Sequence, residues 1–280
     1  MLGRRRPARK SREEILLMRA AGLVVARALD LVVASARPGM TTGALDALAE
    51  ELIRAEDARP SFPEVPGYRH TLCTSVNDEV VHGIPGARVL AEGDLLSVDC
   101  GAIYQGWHGD AAVSVIVGGA GAGRPEDLEL IAATEDSLWA GAAALAVGAP
   151  LHDVGAAVED SIHASGKRAG RAYGIVEDYV GHAIGREMHL DPQIPNYRVH
   201  GSSPTIRDTF TGAIEPMVTL GTDQTRVLDD GWTVVTLDGT RAAHWEHTVL
   251  VREEGLWVLT SHDGGQARLQ ALGARFAPLT

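Results

Sequence analysis

The chain has 280 residues, 45% hydrophobic and 22% charged, an ordinary globular composition that supports a sizeable core and excludes a disordered chain. With 25 basic against 37 acidic residues its net charge is −12, which argues against general nucleic-acid affinity and for a soluble, monomeric or weakly associating protein. Its two cysteines, Cys73 and Cys100, have no zinc-site spacing and suggest no disulfide framework, which fits a reducing cytoplasm; the most apolar stretch, residues 20–36, is broken by Arg27 and Asp30 and is too short to span a bilayer.

Residues 4–10 pack five positive charges into seven positions with no apolar run behind them. Residues 1–10 therefore read as a flexible basic tail and not as a secretory signal; a solubilising extension is the plain interpretation and a contact with the ribosome's RNA the sharper one. Ser11, followed by Glu13 and Glu14, is an N-cap signal. Ile15, Met18, Val25, Leu29 and Val32 then recur at helical spacing, with Gly22 between them, and predict a long amphipathic helix over 11–36. After Arg37-Pro38-Gly39, Thr41 and Thr42 cap a second helix to about Glu56, and a polar, proline-rich loop covers 58–68. Strands are expected to dominate 71–117. The glycines of 118–123 lack phosphate-loop spacing and read as a connector between two halves, about 11–117 and 125–260. Helices are predicted over 125–145 and 150–166, so helix, break, helix and strands occur twice. From about residue 261 the chain reads as a short, turn-like segment wrapping the surface.

Lone acids inside strand-like runs are the chemical signal. Asp99 lies in Leu95-Leu96-Ser97-Val98-Asp99-Cys100-Gly101-Ala102 and Asp110 in Trp107-His108-Gly109-Asp110-Ala111-Ala112-Val113, on either side of the turn-like Ile103-Tyr104-Gln105-Gly106. A turn centred between Tyr104 and Gln105 sets the two aspartates directly opposite each other. Like charges so placed destabilise a hairpin, so a cation is expected between them: a shared proton or, given further donors of matching type, a divalent metal. Glu215 and Glu246 repeat the pattern in Ile214-Glu215-Pro216-Met217 and Trp245-Glu246-His247-Thr248. A hairpin centred on Gly239 would pair Glu246 with Trp232.

These runs, together with Val81-His82-Gly83-Ile84-Pro85 and Gly181-His182-Ala183-Ile184-Gly185-Arg186-Glu187-Met188-His189, stand in one order, and over about 11–251 the chain resembles a type I methionine aminopeptidase. The resemblance implies an α/β (α+β) pita-bread fold, two pseudo-symmetric halves around a curved antiparallel sheet with helices outside, in one catalytic domain over 11–280. It implies Asp99, Asp110, His182, Glu215 and Glu246 as ligands of two divalent ions (manganese, iron(II), cobalt or zinc), with Asp110 and Glu246 bridging. By the same resemblance His189 would stabilise the oxyanion, His82 would contact the scissile amide, and Glu215 would shuttle a proton. Tyr68, Cys73, Met188 and Trp232, with Phe62 as a further candidate, would form a soft apolar pocket for a methionine side chain. The implied activity is removal of the N-terminal methionine from nascent polypeptides, favouring a small second residue.

Two alternatives compete: a proline-specific aminopeptidase or prolidase, which would reuse all five ligands but usually carries an added N-terminal domain, and a non-catalytic binding module on the same fold. Two residues depart from the family pattern. Ala183 replaces a glycine, which would be strained if that position needs a positive φ, and Met188 replaces an aromatic. His108, His244 and His247 flank ligands and read either as their hydrogen-bond partners or as surface residues.

Overall fold

The computed structural model describes residues 9–279. Most of the basic tail, residues 1–8, lies outside the described residues; of its remainder, Arg9 pairs with Asp208 and the Lys10 amide donates to Thr209 Oγ1 at 3.0 Å. Helix α1 spans Arg12–Ser35 and α2 spans Thr42–Ala55. The Ser11 hydroxyl and the Glu14 carboxylate cap α1 reciprocally, an arrangement that stabilises a helix start by about 1 kcal/mol. Ile15, Met18, Val25, Leu29 and Val32 all face the core, as their spacing predicts. Thr41 caps α2 through the Ala44 amide.

The first half continues with strands β1 (Arg59–Pro60), β2 (Leu72–Val76), β3 (Glu79–Val81), β4 (Leu95–Tyr104) and β5 (Trp107–Ile116). In the second half come α3 (Pro125–Ala143), α4 (His152–Ala169), β6 (Gly174–Ile175), β7 (Gly181–Ala183), β8 (Leu190–Ile194), β9 (Phe210–Ile214), β10 (Met217–Thr219), β11 (Thr225–Val227), β12 (Val234–Thr236), β13 (Ala242–His244), β14 (Glu246–Arg252) and β15 (Gly255–Val258). The expected turn-like ending instead contains a short helix, α5 (Gln266–Ala271), which enters through Gly264 and Gly265 at positive φ and buries Leu269 fully in the second-half core. One apolar anchor on six residues is too weak a period to be read from sequence. No helix among the described residues is long and apolar enough to cross a membrane.

Both halves feed one antiparallel sheet in the order β1-β4-β5-β14-β9-β7-β8, with β2 added on β4 and β15 on β14. Two three-stranded sheets, β13-β10-β6 and β11-β12-β3, complete the fold. Helices α1 and α2 pack with β2, β4 and β5 in one apolar core, while α3 and α4 pack with β9, β10 and β14 in another. Contact between α1 and β5 is close enough to require glycine at position 109, while a Cβ on Gly22 would meet the Leu259 carbonyl at 2.3 Å. A Cβ at Gly109 would lie 2.7 Å from the Gly22 nitrogen, so helix and strand touch backbone to backbone one residue before Asp110.

Candidate metal centre

Cross-strand register builds the site. Cys73 on β2 is opposite Asp99 on β4, Asp99 is opposite Ala112 on β5, and Ala112 is opposite Glu246 on β14, so the four share one face of the sheet. His247 opposite Ile214 carries the register on, bringing Glu215, just past the end of β9, across from Glu246. His182 on β7 pairs with Ala213, two residues before Glu215 and on the same face. Ala112 has only a methyl group in the middle of this row, which leaves space among the acids.

Asp110 does not face Asp99 directly. The hairpin turns through Gln105 and Gly106, both at positive φ, so Tyr104 pairs with Trp107 and Asp110 with Gly101. Moving the turn centre by one residue shifts every partner by two, which keeps each side chain on its face. The aspartates are therefore diagonal neighbours on the expected face.

Donor atoms of Asp110, His182 and Glu246 lie within 4.8 Å of one another, and so do those of Glu215, His244 and Glu246. His182 Nδ1 lies 3.1 Å from the Ala183 carbonyl, which assigns the ring proton to Nδ1 and leaves Nε2, 3.4 Å from Glu215 Oε1, as the donor. All five sequence-read donors line one cavity of about 290 Å³, together with His82, His189, Phe62, Tyr68, Cys73, Met188 and Trp232. A larger cleft of about 1110 Å³ beside Lys10, Leu151 and Phe210 contains none of the donors.

Residues 16–253 match metallopeptidase family M24. Methionine aminopeptidase 1 of Mycobacterium tuberculosis is 51% identical over 259 residues, covering 92% of this chain and 96% of that protein. The chain belongs to metallopeptidase family M24. The crystal structure of methionine aminopeptidase from Thermotoga maritima matches at a TM-score of 0.85 and 41% identity, over 91% of this chain and 99% of that one. Prolidase from Pyrococcus horikoshii, at 18% identity and a TM-score of 0.71 over 90% of this chain and 63% of its own, shares the fold.

As expected of an M24 metal-dependent hydrolase, the cluster calls for cations. Burial drives the Asp99 carboxyl up to about 7. Burial, reinforced by the neighbouring carboxylates, holds Asp110, Glu215 and Glu246 well above the usual carboxylate range. Asp99 Oδ1, Asp110 Oδ1 and Glu246 Oε1 are buried without a hydrogen-bond partner. Four crowded acids, three of them with an orphaned oxygen, and one imidazole fit divalent metal.

On the substrate side, Tyr68, Phe62, Cys73 and Met188 form a small apolar cluster of their own, with Trp232 packed against it. The Tyr68 ring stands edge-on to Trp232 at 5.0 Å and to Phe62 at 6.2 Å. Trp232 reaches this place differently than its sequence suggested: β12 pairs with β3 and β11, while β13 pairs with β10, so no hairpin about Gly239 links Trp232 to Glu246. Asp230 instead holds the Trp232 and Thr233 amides, each at 2.8 Å, and fixes the loop that presents the indole. His82 takes φ 60, a strained conformation for a residue with a Cβ, and faces Tyr179 edge-on at 5.3 Å. Ala183 is not among the positive-φ residues, so the strain considered for it does not arise.

His108 and His244 are not surface residues; both are 3% exposed. His108 Nδ1 meets Ser61 Oγ at 3.0 Å, tying the loop before Phe62 to the strand that bears Asp110. Three further polar residues, unmarked in the sequence, hold the backbones of Asp110, Glu215 and the neighbouring His244. Thr248 Oγ1 accepts from the Asp110 amide and donates to the Asp110 carbonyl, Ser114 Oγ does the same for His244, and Asn196 Nδ2 donates to the Glu215 carbonyl. These contacts join residues far apart in the chain, and no local pattern marks them.

Proposed function

We propose that this chain removes the N-terminal methionine of nascent polypeptides by peptide hydrolysis at two divalent ions held by Asp99, Asp110, His182, Glu215 and Glu246, with residues 11–280 acting as one catalytic unit in the cytoplasm. The reading rests on one observation above all: the crowded donors and the Phe62, Tyr68, Cys73 and Met188 cluster share a single cavity. The ions, when bound, supply hydroxide at neutral pH and polarise the scissile carbonyl.

The chain's own residues supply the rest. The thioether of methionine lies against Cys73, Met188 and the aromatic edges of Tyr68 and Trp232, a soft surface with no charged group to desolvate. Burial brings the His82 imidazole down to about 4 and lowers that of His189, so both are neutral at pH 7 and act as hydrogen-bond donors without adding charge. His189, with its ring 4.5 Å from that of His182, donates to the developing oxyanion; His82 contacts the scissile amide. Glu215 carries a proton from the attacking water to the leaving amine. The free amine of the first substrate residue is held among the acids, which confines cleavage to the chain end.

Turnover of Met-Ala-Ser against Xaa-Pro peptides, with metal-stripped protein reloaded separately with manganese, iron(II), cobalt and zinc, tests the assignment. Methionine release is expected. Cleavage only before proline would transfer the chain to a prolidase-like activity, and silence with every metal would mark a binding module.

A further inference from the structure

Two rings of the apolar cluster, Phe62 and Tyr68, stand on the loop 61–71 between β1 and β2. Backbone bonds inside this loop are local: the Glu64 amide donates to the Ser61 carbonyl, Val65 to Phe62 and Tyr68 to Val65. Its placement over the cavity therefore depends on how its ends are tied. The first end is tied to the main sheet, where the Ser61 amide donates to the Gly101 carbonyl at 2.9 Å and Ser61 Oγ meets His108.

The second end is tied by a side chain from α2. Asp46, only 13% exposed, accepts through Oδ1 from the Thr71 amide at 2.9 Å and the Leu72 amide at 2.8 Å. The Leu72 carbonyl in turn accepts from the Tyr68 hydroxyl at 2.7 Å, so Leu72 is gripped by its amide and its carbonyl at once. Asp46 Oδ2 lies 3.6 Å from His70 Nδ1, and the His70 ring stands edge-on to Tyr68 at 5.8 Å. Two routes thus run from one carboxylate to one ring of the pocket wall. Aspartate is a poor helix former, and burial pushes the Asp46 carboxyl up from its ordinary value, so the helix itself gains nothing from this residue. Asp46 does not line the cavity.

We propose that Asp46 is a positioning residue for methionine recognition: through Leu72 and His70 it fixes the Tyr68 ring and so sets how tightly the first side chain of the substrate is held. The proposal rests on the aminopeptidase reading above.

The test is steady-state release of methionine from Met-Ala-Ser by cobalt-loaded protein, well below its melting temperature. Asp46→Ala should raise KM about 10-fold, with kcat within about twofold and cobalt bound per chain unchanged. Asp46→Asn keeps an oxygen for the two amides and should hold KM within about threefold of wild type. Tyr68→Phe cuts the same chain of contacts at its other end, so combining it with Asp46→Ala should raise KM by less than the product of the single effects. Asp46→Glu displaces the acceptor by one methylene; it serves if Asp46→Ala does not fold, and its KM should rise about threefold or more. A merely structural role reduces the folded fraction, which lowers kcat and leaves KM alone; that result, or independent effects of Asp46→Ala and Tyr68→Phe, overturns the proposal and leaves the aminopeptidase reading intact. No methionine release by the wild-type chain overturns both.

Discussion

Two junctions in the main sheet hold the same cluster by different means. The β4–β5 hairpin runs through ten consecutive residue pairs, from Leu95–Ile116 to Tyr104–Trp107, and places Asp99 and Asp110 by an unbroken backbone ladder. The seam between the halves, β5 against β14, has only two pairs, Ala112–Glu246 and Ala111–His247. Beyond each end of that short ladder a hydroxyl substitutes for the missing backbone bonds, Thr248 on Asp110 and Ser114 on His244. A redundant ladder tolerates the loss of a side chain. The seam, where acids from both halves meet, has no such reserve.

That contrast can be pushed hardest at Glu246, which belongs to the seam and to both donor triads. Glu246→Gln should lower methionine release more than about 1000-fold, beyond the roughly 10–100-fold typical of outer partners, and cut cobalt bound in equilibrium dialysis. Next, Thr248→Val should leave the buried Asp110 amide and carbonyl unpaired and cost about 2 kcal/mol in urea unfolding of the metal-free protein, whereas Thr248→Ser should recover most of it.

A smaller effect is expected from pH. The folded-state pKa of Asp99, about 7, lies above its unfolded value, so the folded protein holds extra protons and loses stability as pH rises toward and past 7. The buried histidines oppose this only below about pH 6.5, where they would have to charge on unfolding. From pH 6.5 to 8.5 the melting temperature of the metal-free protein should therefore fall by about 2 °C or more, and saturating metal should abolish the decline. Least affected should be Ser97→Ala, which removes a hydroxyl contact inside the long ladder; a loss above about 1 kcal/mol by the same urea measurement would erase the distinction between ladder and seam.

The hairpin was legible because its information is local: lone acids, apolar alternation and a turn within about twenty residues. Even its misplaced turn centre left Asp99 and Asp110 on the right face, since strand parity survives a shift of two. The false pairing of Trp232 with Glu246 came from assuming that neighbouring strands pair, where Gly239 does turn at positive φ but the flanking strands enter different sheets. Helix α1 was readable from its cap and period; its glycine contact with β5 was not, because nothing near Gly22 says what lies against it. The same holds for Thr248, Ser114, Asn196 and the buried His108 and His244, whose partners are set only by the closed fold.

The narrowness of the seam also orders events during synthesis. The hairpin bearing Asp99 and Asp110 leaves the ribosome with its acids still hydrated, and Thr248, 138 positions later, arrives long afterwards. Only then can the second half close, and closing forces four carboxylates out of water together. Protons or a divalent cation would relieve that repulsion, so the docking of β14 and the loading of the site are coupled, with proton and metal competing for the same oxygens.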